Sequence, residues 1–169
     1  CAGSSGPGHV HLINGLYDAH RSGAPVLAIA STVATYEMGT RYFQETDTIK
    51  LFDDCSYYNQ MATTPKQFPR MLQAAMQTAV TLRGVSVVGL PGDLAATECQ
   101  PVDSSLITYD MSSDIVLEQS WVERLSKWLN KANKITIYCG IGAKDAHQEV
   151  VELSQRLNAP VAYSFKSKM

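Results

Sequence analysis

The sequence lacks the marks of several protein classes. Its four cysteines (Cys1, Cys55, Cys99 and Cys139) are scattered, with no CxxC pair and no tight Cys/His cluster. A zinc site is therefore not expected, and a disulfide framework is improbable at 169 residues. A reducing, cytoplasmic compartment is the default that follows. Charged residues make up only 18%, and neither sign dominates: 14 basic and 16 acidic side chains leave a formal charge of −2. No basic field is present to recruit nucleic acid. No apolar run approaches the roughly 20 residues that span a bilayer. There is no initiator methionine; the chain opens on Cys1 in a glycine-rich turn and stops at Met169, soon after a strand-like run. These ends predict a piece of a longer polypeptide. What is abundant is apolar material, 45% of residues, enough to pack a core in one ordinary domain or two small ones.

Along the chain, Gly3–Gly8 (GSSGPG) reads as a loop, with Pro7 just before a helical pattern carried by Leu12, Leu16 and Ala19. Gly23 is a plausible stop, and the apolar run from Val26 to Ala30 suits a strand buried on both faces. Residues 31–64 show no sustained period. Thr64 as N-cap and Pro65 at the first position open the clearest helix, with Phe68, Leu72, Ala75, Met76, Ala79 and Leu82 as its buried stripe and Gly84 as its end. A second buried strand, Val85–Leu90, is closed by Pro91-Gly92-Asp93. Apolar strands alternating with helices predict an α/β domain with a parallel sheet over residues 1–97. Residues 98–116, rich in serine and threonine, read as a linker. From 117 to 169 the pattern restarts: a helix presenting Trp121, Val122, Leu125, Trp128 and Leu129, a strand at Lys134–Cys139, a turn at Gly140-Ile141-Gly142, a helix with Ala146, Val150, Leu153 and Leu157, and a strand from Pro160 to Phe165. This is the start of a second, Rossmann-like α/β domain.

Two glycine turns stand before helices, where backbone N–H groups and the helix dipole favour an anion or a polar ring edge. Neither Gly6-Pro7-Gly8 nor Gly140-Ile141-Gly142 completes a dinucleotide fingerprint, since Ala143-Lys144-Asp145 follows the latter. Backbone geometry alone explains such glycines. His9 and His11 fall near any ligand of the first turn, but two solvated polar residues at a helix start is the favoured reading; His20 and His147 read as surface residues. Tyr42-Phe43-Gln44-Glu45 sets aromatic, amide and carboxylate side by side in the irregular segment. It either lines a polar pocket or is a loop anchored by its aromatics. No Ser-His-Asp arrangement is defensible.

Residues 1–20 (CAGSSGPGHVHLINGLYDAH), 25–30 (PVLAIA), 42–45 (YFQE) and 84–93 (GVSVVGLPGD) resemble the thiamine diphosphate-dependent pyruvate oxidase family, in particular its bacterial quinone-dependent pyruvate dehydrogenase branch. The likeness runs over essentially the whole chain. The combined GPG, FQE and LPGD segments also mark the wider superfamily that contains acetolactate synthase, where asparagine usually stands in place of His11.

The resemblance implies that residues 1–97 are the later part of a pyrimidine-binding domain and that residues from 117 begin an FAD-binding middle domain. It implies Ser4, Pro7 and His11 beside the thiamine pyrimidine, Phe43 and Gln44 at the active site between thiamine and flavin, and Gly140, Ile141 and Gly142 near FAD. Magnesium ligands, the family's essential glutamate and a C-terminal membrane-association element are expected outside these residues, so the chain alone should be inactive. A half-domain would leave apolar strand edges and the Val26–Ala30 run poorly covered, so the isolated chain should not be a stable monomer. The parent is expected to turn pyruvate into acetate and carbon dioxide, with a quinone as electron acceptor, as a homo-oligomer, a tetramer by resemblance. It is expected in the cytoplasm, with peripheral contact at the inner face of the membrane. Acetolactate synthase, a phosphate-dependent oxidase and a non-catalytic piece are the alternatives.

Overall fold

A computed structural model describes residues 1–98 and 116–167. The chain divides into two compact units, Cys1–Ser112 and Ser113–Met169. The linker expected over 98–116 lies, except for its end residues, outside the described residues.

In the first unit the apolar runs form a four-stranded sheet, every pair parallel. Its strands are β1 (Ala2–Gly3), β2 (Val26–Thr32), β3 (Tyr58–Met61) and β4 (Val85–Pro91), in the order β1-β2-β4-β3. Val26 stands opposite Val85 and Thr32 opposite Pro91, so β2 and β4 run in register to the same carboxyl end. The helices are α1 (Pro7–Val10), α2 (Ile13–Ser22), α3 (Thr48–Leu51), α4 (Phe68–Leu82) and α5 (Gly92–Ala95). The parallel α/β architecture expected from the sequence is the one observed.

The apolar period of α2 does what it predicts. Leu16 is buried, and with Ala28, Ala30, Phe52, Cys55, Val85 and Val87 it forms the core, against which Leu12 and Ala19 pack. Gly23 ends the helix in the left-handed region at φ 68°, and the Ala24 N–H reaches back to the Ala19 carbonyl at 2.9 Å. That six-to-one bond is the Schellman closure, which glycine permits without strain.

Several local expectations need correction. The opening helix is two pieces, because the Leu12 N–H bonds the carbonyl three residues back, His9, at 3.1 Å and tightens the turn. Strand β2 is fully buried only at alternate residues, Ala28, Ala30 and Thr32; β4 is the strand covered on both faces. The segment 31–64, read as irregular, holds α3 and the edge strand β3, whose Tyr-Asn-Gln-Met sequence carries no apolar run. Pro65–Gln67 is a 3₁₀ turn, and the Thr64 hydroxyl donates to Gln67 Oε1 at 3.2 Å instead of capping a helix; α4 starts at Phe68. Its buried stripe narrows to Ala75 and Ala79, while Met76 and Leu82 are exposed. Arg83, at φ 53°, takes the left-handed cap that Gly84 was expected to fill. Gly84 is required for packing instead, since a Cβ there would lie 2.5 Å from the Tyr57 ring. His20 is half-buried, its ring 4.4 Å from that of Tyr57, and is not a free surface residue.

The second unit contains α6 (Gln119–Lys131), β5 (Ile137–Cys139), α7 (His147–Leu157) and β6 (Val161–Tyr163), with β5 and β6 parallel. Both strands are shorter than the sequence suggests. Ser167 closes the unit by donating from its hydroxyl to the Cys139 carbonyl at 2.6 Å. The apolar face of α6 is uncovered: Trp121 and Trp128 are exposed, and the Arg124 guanidinium lies 3.9 Å from the centre of the Trp121 ring. No described helix is long and apolar enough to cross a membrane.

Candidate cofactor-binding site

Parallel sheets bind ligands beyond the carboxyl ends of their strands. In the first unit that end gathers three sequence segments: the turn after β1, the residues after β2, and Pro91-Gly92-Asp93, where β4 ends. The turn after β1 is shaped by close approach. Gly6 is held at φ 63° and ψ −118°, and a Cβ on it would lie 2.7 Å from Gln44 Cβ. Ser5 Oγ donates to the Gln44 carbonyl at 3.1 Å. The two segments singled out in the sequence, GSSGPG and FQE, thus meet although 39 residues separate Ser5 from Gln44.

Ser4, Pro7, His11, Phe43 and Gln44 all have exposed side chains. Phe43 is 78% exposed, so it anchors nothing within this unit, and Tyr42 is exposed as well. The loop is braced by its carboxylate instead. Glu45 accepts from the Gly39 and Tyr42 backbone N–H groups. Gln44 itself sits at φ 64° and Arg41 at φ 61°, left-handed conformations that cost a non-glycine residue about 1–3 kcal/mol and persist only where the surroundings enforce them. Beside this loop is a cavity of about 580 Å³, lined by Arg41, Tyr42 and Glu45 together with Thr32, Thr48 and Met61. Of the YFQE segment, Tyr42 and Glu45 line this cavity, while Phe43 and Gln44 are not among its lining residues. The Thr48 hydroxyl is buried there without a hydrogen-bond partner.

Asp93 ties two of the strand ends together. Its carboxylate accepts from both the backbone N–H and the hydroxyl of Thr35. Those bonds hold its pKa below the ordinary 3.8, with the Thr35 hydroxyl the largest influence. It therefore stays ionised and fixes the residues after β2 against the end of β4.

His9 overturns the solvated reading. It is fully buried, with Nδ1 2.8 Å from the Ser31 carbonyl and Nε2 2.6 Å from Thr46 Oγ1, and its ring edge meets Phe52 at 5.8 Å between centroids. A carbonyl only accepts, so Nδ1 carries the proton and Nε2 accepts from the threonine hydroxyl. Burial pushes this imidazole below its ordinary 6.5, so it is neutral. His9, Thr46 and Asp93 are the residues sequence reasoning missed. For His9 the hint was the HxH pattern, which a helical turn divides into one buried and one exposed side chain, and for Asp93 it was the LPGD segment.

In the second unit Gly140 has φ −93°, open to any residue, and a Cβ on Gly140 or Gly142 would meet no atom within 4 Å. Neither strain nor internal packing explains these glycines. Among the described residues no three His, Cys, Asp or Glu side chains cluster as a metal site.

Known proteins bear on this geometry. Residues 1–51 match the model described as "Thiamine pyrophosphate enzyme, N-terminal TPP binding domain", and residues 122–169 match "Thiamine pyrophosphate enzyme, central domain". The chain belongs to the thiamine pyrophosphate-dependent enzyme family. An uncharacterized 42.6 kDa protein of Pseudomonas amyloderamosa is 43% identical over 169 residues, 99% of this chain and 43% of that protein. A pyruvate oxidase of Lactiplantibacillus plantarum is 34% identical over 99% of this chain and 28% of its own length. The mitochondrial acetolactate synthase of Schizosaccharomyces pombe is 31% identical over 95% of this chain and 26% of its own length. The chain thus spans less than half of each of these relatives. Among solved structures, a thiamine diphosphate-dependent 4-hydroxybenzoylformate decarboxylase of Rhodococcus jostii superposes with a TM-score of 0.84, covering 96% of this chain and 32% of that one. At 21% identity it establishes the fold.

Proposed function

We propose that the protein carrying this chain is a pyruvate oxidase that uses thiamine diphosphate, magnesium and FAD to convert pyruvate and water to acetate and carbon dioxide, with a quinone reduced to quinol. One observation carries the reading: the FQE segment is packed onto the GSSGPG turn at the carboxyl edge of a thiamine-enzyme sheet, in a chain 34% identical to a pyruvate oxidase. When bound, thiamine diphosphate supplies the electron sink for loss of carbon dioxide, and FAD accepts the electron pair.

The chain's own residues bind and orient. The exposed Ser4 and Pro7 and the outward-facing His11 offer a polar and an apolar edge to a pyrimidine ring beside the turn. Gln44, set by Ser5 and Gly6, presents its amide to the same edge. Phe43, exposed here, supplies an apolar wall that excludes water from the gap between two cofactors. Gly140, Ile141 and Gly142 leave backbone open for the flavin. Magnesium ligands are assigned to residues outside this chain. A homo-oligomer, a tetramer by resemblance, located in the cytoplasm with contact at the inner membrane face, completes the proposal.

Acetolactate synthase-type ligation is the second reading, favoured by the 31% identity to a synthase. Anaerobic addition of pyruvate to the full-length holoenzyme separates the two. Bleaching of flavin absorbance with release of acetate supports the oxidase; acetolactate without bleaching supports ligation; neither product overturns both.

A further inference from the structure

We infer that His9 is a positioning residue, whose neutral imidazole bolts Thr46, and with it the Phe43–Gln44 pair, to the carboxyl end of β2. The inference rests on the reading that the turn after β1 faces a cofactor. Segment 44–46 is held from that turn at three points. Ser5 Oγ bonds the Gln44 carbonyl at 3.1 Å, Gly6 lies against Gln44 Cβ, and His9 Nε2 accepts from Thr46 Oγ1 at 2.6 Å. The first two contacts are near solvent. The third is part-buried, made by a fully buried imidazole, and is continued by Nδ1 donating to the Ser31 carbonyl at 2.8 Å, so it joins the loop to the end of β2. His9 cannot yield sideways. A Cβ on Gly3 would lie 2.6 Å from His9 Cα, the His9 N–H is taken by the Ser4 carbonyl, and Phe52 closes the ring's edge.

Burial holds the imidazole, and so the clamp, in its neutral state. Nε2 accepts only while unprotonated; a proton there turns it into a donor and forces the Thr46 hydroxyl to reverse. The charged residues flanking the groups that touch it are Glu45 and Asp47, beside Thr46, and Asp53, beside Phe52. Glu45 is engaged by Gly39 and Tyr42, and Asp47 by Lys50. Burial remains the dominant influence on His9, opposed only by its hydrogen bonds with the Ser31 and Ser4 backbones.

The test uses the full-length protein, wild type, Thr46→Val and Thr46→Ser. Hydrogen exchange of the peptide spanning residues 39–47 is followed without cofactor, and pyruvate turnover is followed with cofactors. Losing a buried hydrogen bond should speed exchange of these amides by roughly tenfold or more in T46V, and T46S should restore it. Wild-type exchange, corrected for its intrinsic pH dependence, should accelerate as pH falls below 6.5, because charging the buried ring costs stability. Turnover number should fall in T46V at unchanged KM and return in T46S. Unchanged exchange in T46V overturns the clamp. Loosened exchange with KM raised and turnover number kept overturns the positioning role. A loosened loop in a protein that binds no thiamine diphosphate leaves the clamp standing and sinks the proposed function instead.

Discussion

Replacing Gly6 by alanine attacks the contact on which the candidate site is built. The backbone at φ 63° and ψ −118° lies where side chains are strained, at about 1–3 kcal/mol. The new methyl would begin 2.7 Å from Gln44 Cβ and 2.8 Å from the Gln44 carbonyl oxygen. Non-bonded carbons settle near 3.5–4.0 Å, so Gln44 must retreat by roughly 1 Å. That retreat stretches the 3.1 Å bond from Ser5 past useful length. A net hydrogen bond is worth about 0.5–1.5 kcal/mol, and this one, near solvent, belongs at the lower end. The whole effect should be about 2–4 kcal/mol of local stability, read by urea denaturation of the intact protein and by hydrogen exchange over residues 39–47. Thiamine diphosphate affinity should fall with it. Gly15→Ala is the control: a Cβ there meets nothing within 4 Å inside α2, so it should stabilise by about 0.5–1 kcal/mol. If G6A melts and binds cofactor as wild type does, the close-approach reasoning for this turn is wrong.

Phe52→Ala, at a fully buried position that touches His9, should cost about 3–5 kcal/mol by denaturant titration and raise exchange around His9. His9 should show by nitrogen-15 NMR a neutral ring protonated at Nδ1 at pH 7, titrating below 6.5. Because its folded pKa is lowered, the folded state loses stability as pH falls through 6.5 toward the lowered value and gains nothing above it. Asp93 should titrate below 3.8 by carbon-13 NMR, and the shift should vanish in Thr35→Val to the extent that the hydroxyl causes it; a carboxyl indifferent to that change would refute the tie between β2 and β4. Gly140→Ala should leave melting unchanged, there being open space around it, while weakening FAD retention in the full-length protein.

Legibility followed the range of the forces. Val85–Leu90 is apolar at nearly every step and had to be a strand covered on both faces, and the Leu12, Leu16 and Ala19 period had to be a helix closed at Gly23. β3 escaped notice because an edge strand needs only backbone partners, which β4 provides through pairs such as Tyr58 with Ser86. The handedness of Arg83 escaped because glycine at 84 answers to the Tyr57 ring. His9 was misjudged because a histidine at a helix start is solvated unless a distant segment covers it, and here residues 46 and 52 do.

By itself, then, the sequence determined the parallel α/β class, the main strands and helices, and the glycine-bearing turns between them. Those depend on local periodicity and on glycine's freedom at a turn. The meeting of Ser5 and Gly6 with Gln44, the burial and tautomer of His9, and the tie from Asp93 to Thr35 were decided by tertiary structure alone. Each joins residues 22 to 58 positions apart, brought within bonding distance only because parallel strands end on the same side of the sheet.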